Sequence, residues 1–146
     1  MNDNLQFQDQ FVEVEAPRIL EAWGNVDEIQ RPRVRDKDGV PTLRVLKYGR
    51  TTHWTVGTSN EIKSDVQRSY GVISREWCII DKHEGGSGPF SKKGDSGSII
   101  FDYRGRILGM VIGGFSPRGE QEMTYATPFQ WLAKDIESSL DVRLSL

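Results

Sequence analysis

Ser96 stands in the run Lys93-Gly94-Asp95-Ser96-Gly97-Ser98, which opens directly onto the apolar Ile99, Ile100 and Phe101. Glycines on both sides let the backbone turn tightly and approach a ligand closely. In such a turn the amides of Gly94 and Ser96 can converge on one point beside the Ser96 hydroxyl. The chemistry this would serve is acyl transfer, in which a hydroxyl attacks a carbonyl and fixed N–H donors meet the negative charge as it develops. As a bare tetrapeptide, Gly94-Asp95-Ser96-Gly97 reads equally as a polar turn feeding a strand.

A serine hydroxyl is a weak nucleophile that needs a base within hydrogen-bond reach, itself oriented by a third group. The chain has two histidines, His53 and His83, and these are the candidate bases. Each has a competing reading as an exposed or packing residue. Lys92 and Lys93 would serve as a base only if desolvated, and exposed lysines are the simpler reading. Cys78 is the single cysteine, so no internal disulfide and no thiol pair for a metal or redox site is encoded. Asp36-Lys37-Asp38-Gly39 resembles the opening of a calcium loop but lacks the fifth ligand position and the terminal Glu, which makes it a turn. No cofactor and no metal are expected.

The elements that must position Ser96 follow from periodicity. Residues 1–15 offer one short alternating strand at most. Pro17, with Ile19, Leu20 and Trp23 on one face, predicts a short helix that Gly24 ends. Residues 31–42 form a charged loop with a turn at Asp38-Gly39. From Leu43 the period is two, with Leu43, Val45 and Lys47 alternating against Arg44, Leu46 and Tyr48. Strands follow at 51–62, where Gly57 marks a bulge or bend, and at 72–80. The polar loop 81–94 holds four glycines. Further strands are predicted at 98–102, 107–112 and 123–126. Thr127 as N-cap and Pro128 in the first turn then begin a helix whose face is Phe129, Leu132, Ile136 and Leu140. Six short strands with glycine-rich turns predict a mainly β chain: a six-stranded antiparallel Greek-key barrel with a C-terminal helix and a short N-terminal helix. Trp23, Trp54, Trp77 and Trp131 fall in separate elements, which favours core packing over an aromatic cage.

A length of 146 residues with 36% hydrophobic and 27% charged residues fits one globular domain. It divides into an N-terminal extension over 1–42, a cover carrying the short helix, and a barrel with its terminal helix over 43–146. The net charge of −2 gives no reason to expect nucleic acid or an anionic membrane as partner. No apolar run is long enough to span a bilayer, and the polar, acidic residues 1–15 predict no secretory signal. A disulfide-free chain suits a reducing interior, so an intracellular, cytoplasmic location is expected.

Four ordered pieces resemble the C-terminal barrel of the chymotrypsin-like serine peptidases, over roughly residues 43–140. Gly94-Asp95-Ser96-Gly97 is similar to that family's nucleophile loop. Downstream, residues 108–114 with Gly113-Gly114 resemble the strand that binds extended substrate. Residues 49–57 are similar to a glycine-threonine stretch of the streptogrisin branch and of fungal trypsin-like domains, which usually carries glycine where His53 stands. Thr124-Tyr125-Ala126-Thr127-Pro128 resembles the way these barrels close. The resemblance implies Ser96 as nucleophile and the Gly94 and Ser96 amides as oxyanion hole. It also implies that the Asp95 carboxylate structures the loop from a buried site against a cationic partner. The specificity pocket would have Phe90 as floor and Ile112, Gly113 and Gly114 as a wall. An aromatic floor argues against arginine or lysine side chains, and Phe90 reads equally as a plain core residue.

Two departures stand out. Ser98 replaces the second glycine that usually follows the nucleophile. Residues 1–52 contain no histidine, and residues 1–42 are too few to build the N-terminal barrel that carries the family's His and Asp. Three readings follow. The first is the nucleophile-bearing half of a trypsin-like serine peptidase, inactive alone, its base coming from elsewhere. The second is a non-catalytic barrel that binds a protein or peptide. The third is a rebuilt dyad with His53 or His83. A lone half-barrel would expose the face that normally meets its other half, which predicts self-association or a complementary N-terminal barrel as partner.

Overall fold

The computed structural model describes residues 23–67, 71–81, 88–115 and 123–145. Strands β1 (Leu43–Gly49), β2 (His53–Gln67), β3 (Ile73–Asp81), β4 (Ile99–Phe101), β5 (Ile107–Phe115) and β6 (Met123–Pro128) form a closed barrel in the order β1-β2-β3-β6-β5-β4. Every pairing between them is antiparallel, and β1 closes on β4 through Leu46 opposite Phe101 and Lys47 opposite Ile100. The six-stranded antiparallel barrel expected from the alternating pattern is therefore present. So are its C-terminal helix, α2 (Phe129–Leu140), and a short N-terminal helix, α1 (Val26–Gln30).

Inward side chains from successive strands fill the barrel. Val45, Trp77, Ile79, Ile100, Leu108, Val111 and Ala126 form one buried cluster with Phe90 from the loop before β4 and Ile29 from α1. Trp77 gives its indole N–H to Ser59 Oγ, so its polar edge is satisfied inside the core.

Several details depart from the sequence pattern. The predicted helix over 17–23 lies almost wholly outside the described residues. Trp23, its last residue, is instead extended, bridging Ile107 in parallel register and stacking 5.7 Å from Phe129. The helix starts two residues past Gly24, at Val26; the N-cap Asn25 side chain accepts the Asp27 N–H at 2.9 Å, and Asp27 and Glu28 occupy the first turn. That is a polar N-cap followed by acids at the positive end of the helix dipole. Glu28 pairs with Arg106 at 2.8 Å, and Ile29 is 1% exposed, so α1 is packed onto the barrel.

Gly57 sits in regular register between Val45 and Asp81 and makes no bulge. Its lack of a side chain serves packing, because a Cβ there would lie 2.6 Å from Ile79 and 2.7 Å from Phe90. The register shift in β2 falls instead between Ser59 and Lys63. Thr127 is not a helix cap: it is the penultimate residue of β6 and donates its hydroxyl to Glu76 Oε2 at 2.8 Å. Along α2 only Ala133 is buried, while Ile136 and Leu140 of the predicted face are exposed. Of the tryptophans expected in the core, Trp77 is there, whereas Trp54 and Trp131 are exposed. The Asp36 turn is as expected, with its carboxylate accepting the N–H groups of Asp38 and Val40 and Gly39 at φ 79°. Among the described residues no helix is long and apolar enough to cross a membrane.

Candidate active site

Ser96 lies in the loop between the buried Phe90 and strand β4, and it is exposed. The loop is pinned to β5 on one side, since Gly97 N–H donates to Val111 O at 2.8 Å and Val111 N–H donates to Ser98 O at 2.9 Å. Ser98 N–H donates back to Asp95 O at 3.0 Å, so a residue larger than glycine is accommodated there without loss of the turn. Gly94 and Gly97 have φ of 105° and 88°, values that favour glycine and set the turn on both sides of the serine.

The other side of the loop is held from within the barrel. Asp95 is fully buried, and its carboxylate accepts hydrogen bonds from Thr51 N–H (2.7 Å), Thr52 N–H (3.3 Å), Thr52 Oγ1 (2.7 Å) and Lys92 N–H (2.9 Å). Lys47 Nζ, equally buried, stands 3.5 Å from Asp95 Oδ2. It also donates to Thr52 Oγ1 at 2.6 Å and lies 5.4 Å from the centre of the Phe90 ring. Burial alone would raise the Asp95 pKa. The bonds from Lys92, Thr52 and Thr51, with the Lys47 charge, outweigh it and hold the carboxyl well below the usual carboxylate range. Asp95 is therefore ionised, paired and held by four hydrogen bonds.

Lys47 is the cationic partner that sequence reasoning left unnamed. Its signal was present: Lys47 falls in phase with Leu43 and Val45 on the inward face of β1. A lysine pointed into a barrel demands a buried counter-charge. The tip joining β1 to β2 completes the clamp, with Thr51 Oγ1 donating to Lys93 O at 3.0 Å. Gly49 belongs to it too, because a Cβ there would lie 2.7 Å from Asp95 Cγ and 2.9 Å from Lys47 Nζ.

The clamp leaves the outer surface of the loop unused. Among the described residues neither the Gly94 N–H nor the Ser96 N–H has an acceptor, and the Ser96 hydroxyl has no hydrogen-bond partner. Two free amides flank an exposed hydroxyl on a backbone whose shape is fixed from behind.

Among the described residues no hydrogen bond joins a candidate base to Ser96. His53, at φ 55°, sits at the hairpin tip with Nδ1 3.3 Å from the Tyr48 hydroxyl. His83 lies outside the described residues. Lys92 and Lys93 are exposed, which leaves neither desolvated. Phe90 is 0% exposed, its ring in the core cluster and its carbonyl accepting Thr55 Oγ1 at 2.7 Å. Gly113 and Gly114 pair with Tyr125 and Thr124 as β5 continues past the loop, with Ile112 half-buried at the register shift before them.

No protein-family model and no curated protein matches the sequence. Among solved structures, the chain is similar to Rv3671c from M. tuberculosis H37Rv, a serine-to-alanine mutant in an inactive form. The TM-score is 0.48 at 15% identity, covering 80% of this chain and 55% of that one. It is also similar to the Rv3671c protease from M. tuberculosis in its active form, with TM-score 0.45, 19% identity and coverage of 80% and 48%. The chain thus spans about half the length of the solved structures it matches.

Proposed function

We propose that this chain is the nucleophile-bearing barrel of a serine peptidase of the trypsin-like kind, without a general base of its own. The observation that carries the reading is the pair of unpartnered amides, Gly94 N–H and Ser96 N–H, beside an exposed Ser96 on a loop clamped by the buried Lys47–Asp95 pair. In the reaction, Ser96 Oγ bonds to the acyl carbon and the hydroxyl proton passes to a base. The carbonyl electron pair moves to the oxygen, which the two amides receive. The chain contributes the nucleophile and the cradle; the base comes from a complementary barrel or another chain. Alone, the barrel retains only what the cradle and binding supply. Tyr48 and Trp54, half-exposed and stacked edge-on at 5.4 Å beside the clamped hairpin tip, offer such a partner an aromatic surface.

The test supplies the missing base. An alkyl fluorophosphonate should label Ser96 slowly or not at all in buffer and readily with added imidazole, read by mass spectrometry of the Ser96 peptide. Ser96→Ala should abolish the label. Labelling that needs no imidazole and disappears in His53→Ala or His83→Ala would replace this reading with a rebuilt dyad. No labelling of Ser96 even with imidazole would leave the non-catalytic binding barrel.

A further inference from the structure

We infer that this chain pairs with a second copy of itself along the outer edge of β2, from Glu61 to Gln67, antiparallel and with Ser64 on the two-fold axis. The inference is independent of the reading of Ser96.

β2 outruns its neighbour on one side. β1 is in register with it only from His53 to Ser59, whereas β3 follows it on to Gln67. Past Ser59, among the described residues, no strand is paired with the side of β2 that faces away from β3. An edge of this kind presents backbone N–H and C=O groups as a template for another strand. A ribbon of two strands is also marginal by itself, and added strands stabilise it. The side chains here face solvent: Ile62 and Asp65 are each 59% exposed, and Glu61, Lys63 and Gln67 are exposed. Ile29 and Gln30 of α1 and Trp131 of α2 line a hollow shared with Lys63 and its register partner Trp77, and Lys63 stays exposed beside it.

Charge and shape select a second copy as the occupant. The run Glu61-Ile62-Lys63-Ser64-Asp65-Val66-Gln67 has the same chemistry read from either end about Ser64. Turned antiparallel on itself there, it sets Lys63 opposite Asp65 of the second copy, and Asp65 opposite the copy's Lys63. Ile62 meets Val66, and Glu61 meets Gln67. Opposite charges and β-branched pairs facing across strands stabilise a sheet, and like charges destabilise it. Asp65 already holds Arg75 of β3 at 3.1 Å, so the row Arg75, Asp65 and the copy's Lys63 alternates in sign. A slip of one residue either way sets Asp65 opposite Ile62 or Ser64 and leaves Lys63 facing no acid. A parallel pairing in register stacks Lys63 on Lys63. Ser64 is also the midpoint of the stretch from Glu61 to Gln67, so the axis that matches the charges is the one that pairs it end to end.

The experiment is sedimentation of the full chain over a concentration series at pH 7. Two short strands bury well under about 1,000 Å², the range of weak association, so a dimer should form with a dissociation constant of roughly 10–300 μM. Lys63→Asp and Asp65→Lys each turn both facing charge pairs repulsive and should each weaken self-association at least about tenfold. Mixed together, the two variants place Asp opposite Lys at both positions and should form a heterodimer about as strong as the wild-type dimer. A cysteine cross-link reads the register. The Ser64 side chain hydrogen-bonds to Cys78, so the background is Cys78→Ala, with diamide taking up the two thiol hydrogens. Ser64→Cys should give a disulfide-linked dimer, because facing antiparallel residues lie about 4.5–5.5 Å apart between Cα atoms. Lys63→Cys should not, because its copy is diagonal to it at about 7–8 Å. Circular dichroism establishes that each variant is folded. A wild-type chain monomeric to about 500 μM, beyond the weak range expected for such a contact, overturns the inference. So does a dimer that either charge variant leaves intact, a mixture that fails to associate, or assembly that grows past the dimer, each of which puts the contact on another surface.

Discussion

Replacing Lys47 by methionine removes the only charge facing a carboxylate among the described residues of the clamp, and the structure sets what that costs. Asp95 would remain fully buried with four hydrogen bonds, from Thr51, Thr52 and Lys92, but with its counter-charge gone. Removing one member of a buried ion pair costs roughly 3–5 kcal/mol. The four remaining donors place Lys47→Met at the low end, about 3 kcal/mol on the same scale. For a chain of this size each kcal/mol moves the midpoint by about 2–4 °C, so the melting temperature at pH 7 should fall by about 6–12 °C. The pH dependence has a definite sign. The folded pKa of Asp95 is depressed, so its contribution to stability is complete above the ordinary carboxylate range and is lost as pH falls through the folded value. In Lys47→Met, burial is opposed only by the hydrogen bonds, so the folded pKa rises and stability is lost at a higher pH. The gap between wild type and variant should therefore be widest near neutrality and narrow in strong acid, where Asp95 is neutral in both. Thermal melts by circular dichroism over a pH series measure this directly. A shift under about 2 °C, less than one kcal/mol on that scale, would refute the pair as the lock. So would a gap that does not change with pH, or strict additivity of Lys47→Met and Asp95→Asn in a double-mutant cycle.

Two further outcomes follow from the same loop. Gly94→Ala forces a side chain onto a φ of 105° and puts a Cβ 2.5 Å from Thr51 Oγ1. It should cost about 1–3 kcal/mol in stability by melting. By displacing an oxyanion donor it should also slow imidazole-dependent labelling of Ser96 by about a hundredfold or more. His53→Gly should raise the melting temperature, since a left-handed conformation costs a non-glycine residue roughly 1–2 kcal/mol, less what the Tyr48 contact contributes. The labelling rate should be unchanged, and a collapse of labelling would make His53 the base.

Much of the architecture was legible because it is local. The inward phase of Leu43 and Val45, the apolar run after Ser98 and the glycine-marked turns are set by neighbours in sequence, and each produced a strand where expected. The left-handed turn around Ser96 was legible for the same reason, since glycines mark it on both sides. The helix at Val26–Gln30 was not read from the sequence although its signal is local, Asn25 followed by Asp27 and Glu28 being a cap with acids; the helix expected from Ile19, Leu20 and Trp23 lies almost wholly outside the described residues. Thr127 was misread because the same residue type suits a cap or a strand, and the register with β5 chose the strand.

By itself the sequence determined a six-stranded barrel and a serine set between two glycines, with an amide available on each side of its aspartate. Only the tertiary structure decided what holds that serine in place. Lys47 and Asp95 are 48 positions apart, and nothing short of barrel closure puts one beside the other. The same closure joins Ser91 to Thr124 across 33 positions. It sets His53 beside the Tyr48 hydroxyl. Residue type and spacing specify which groups are able to do chemistry. The buried pairings that fix their geometry come from strands meeting in space, where desolvation makes an unpaired charge or hydroxyl costly and so selects its partner.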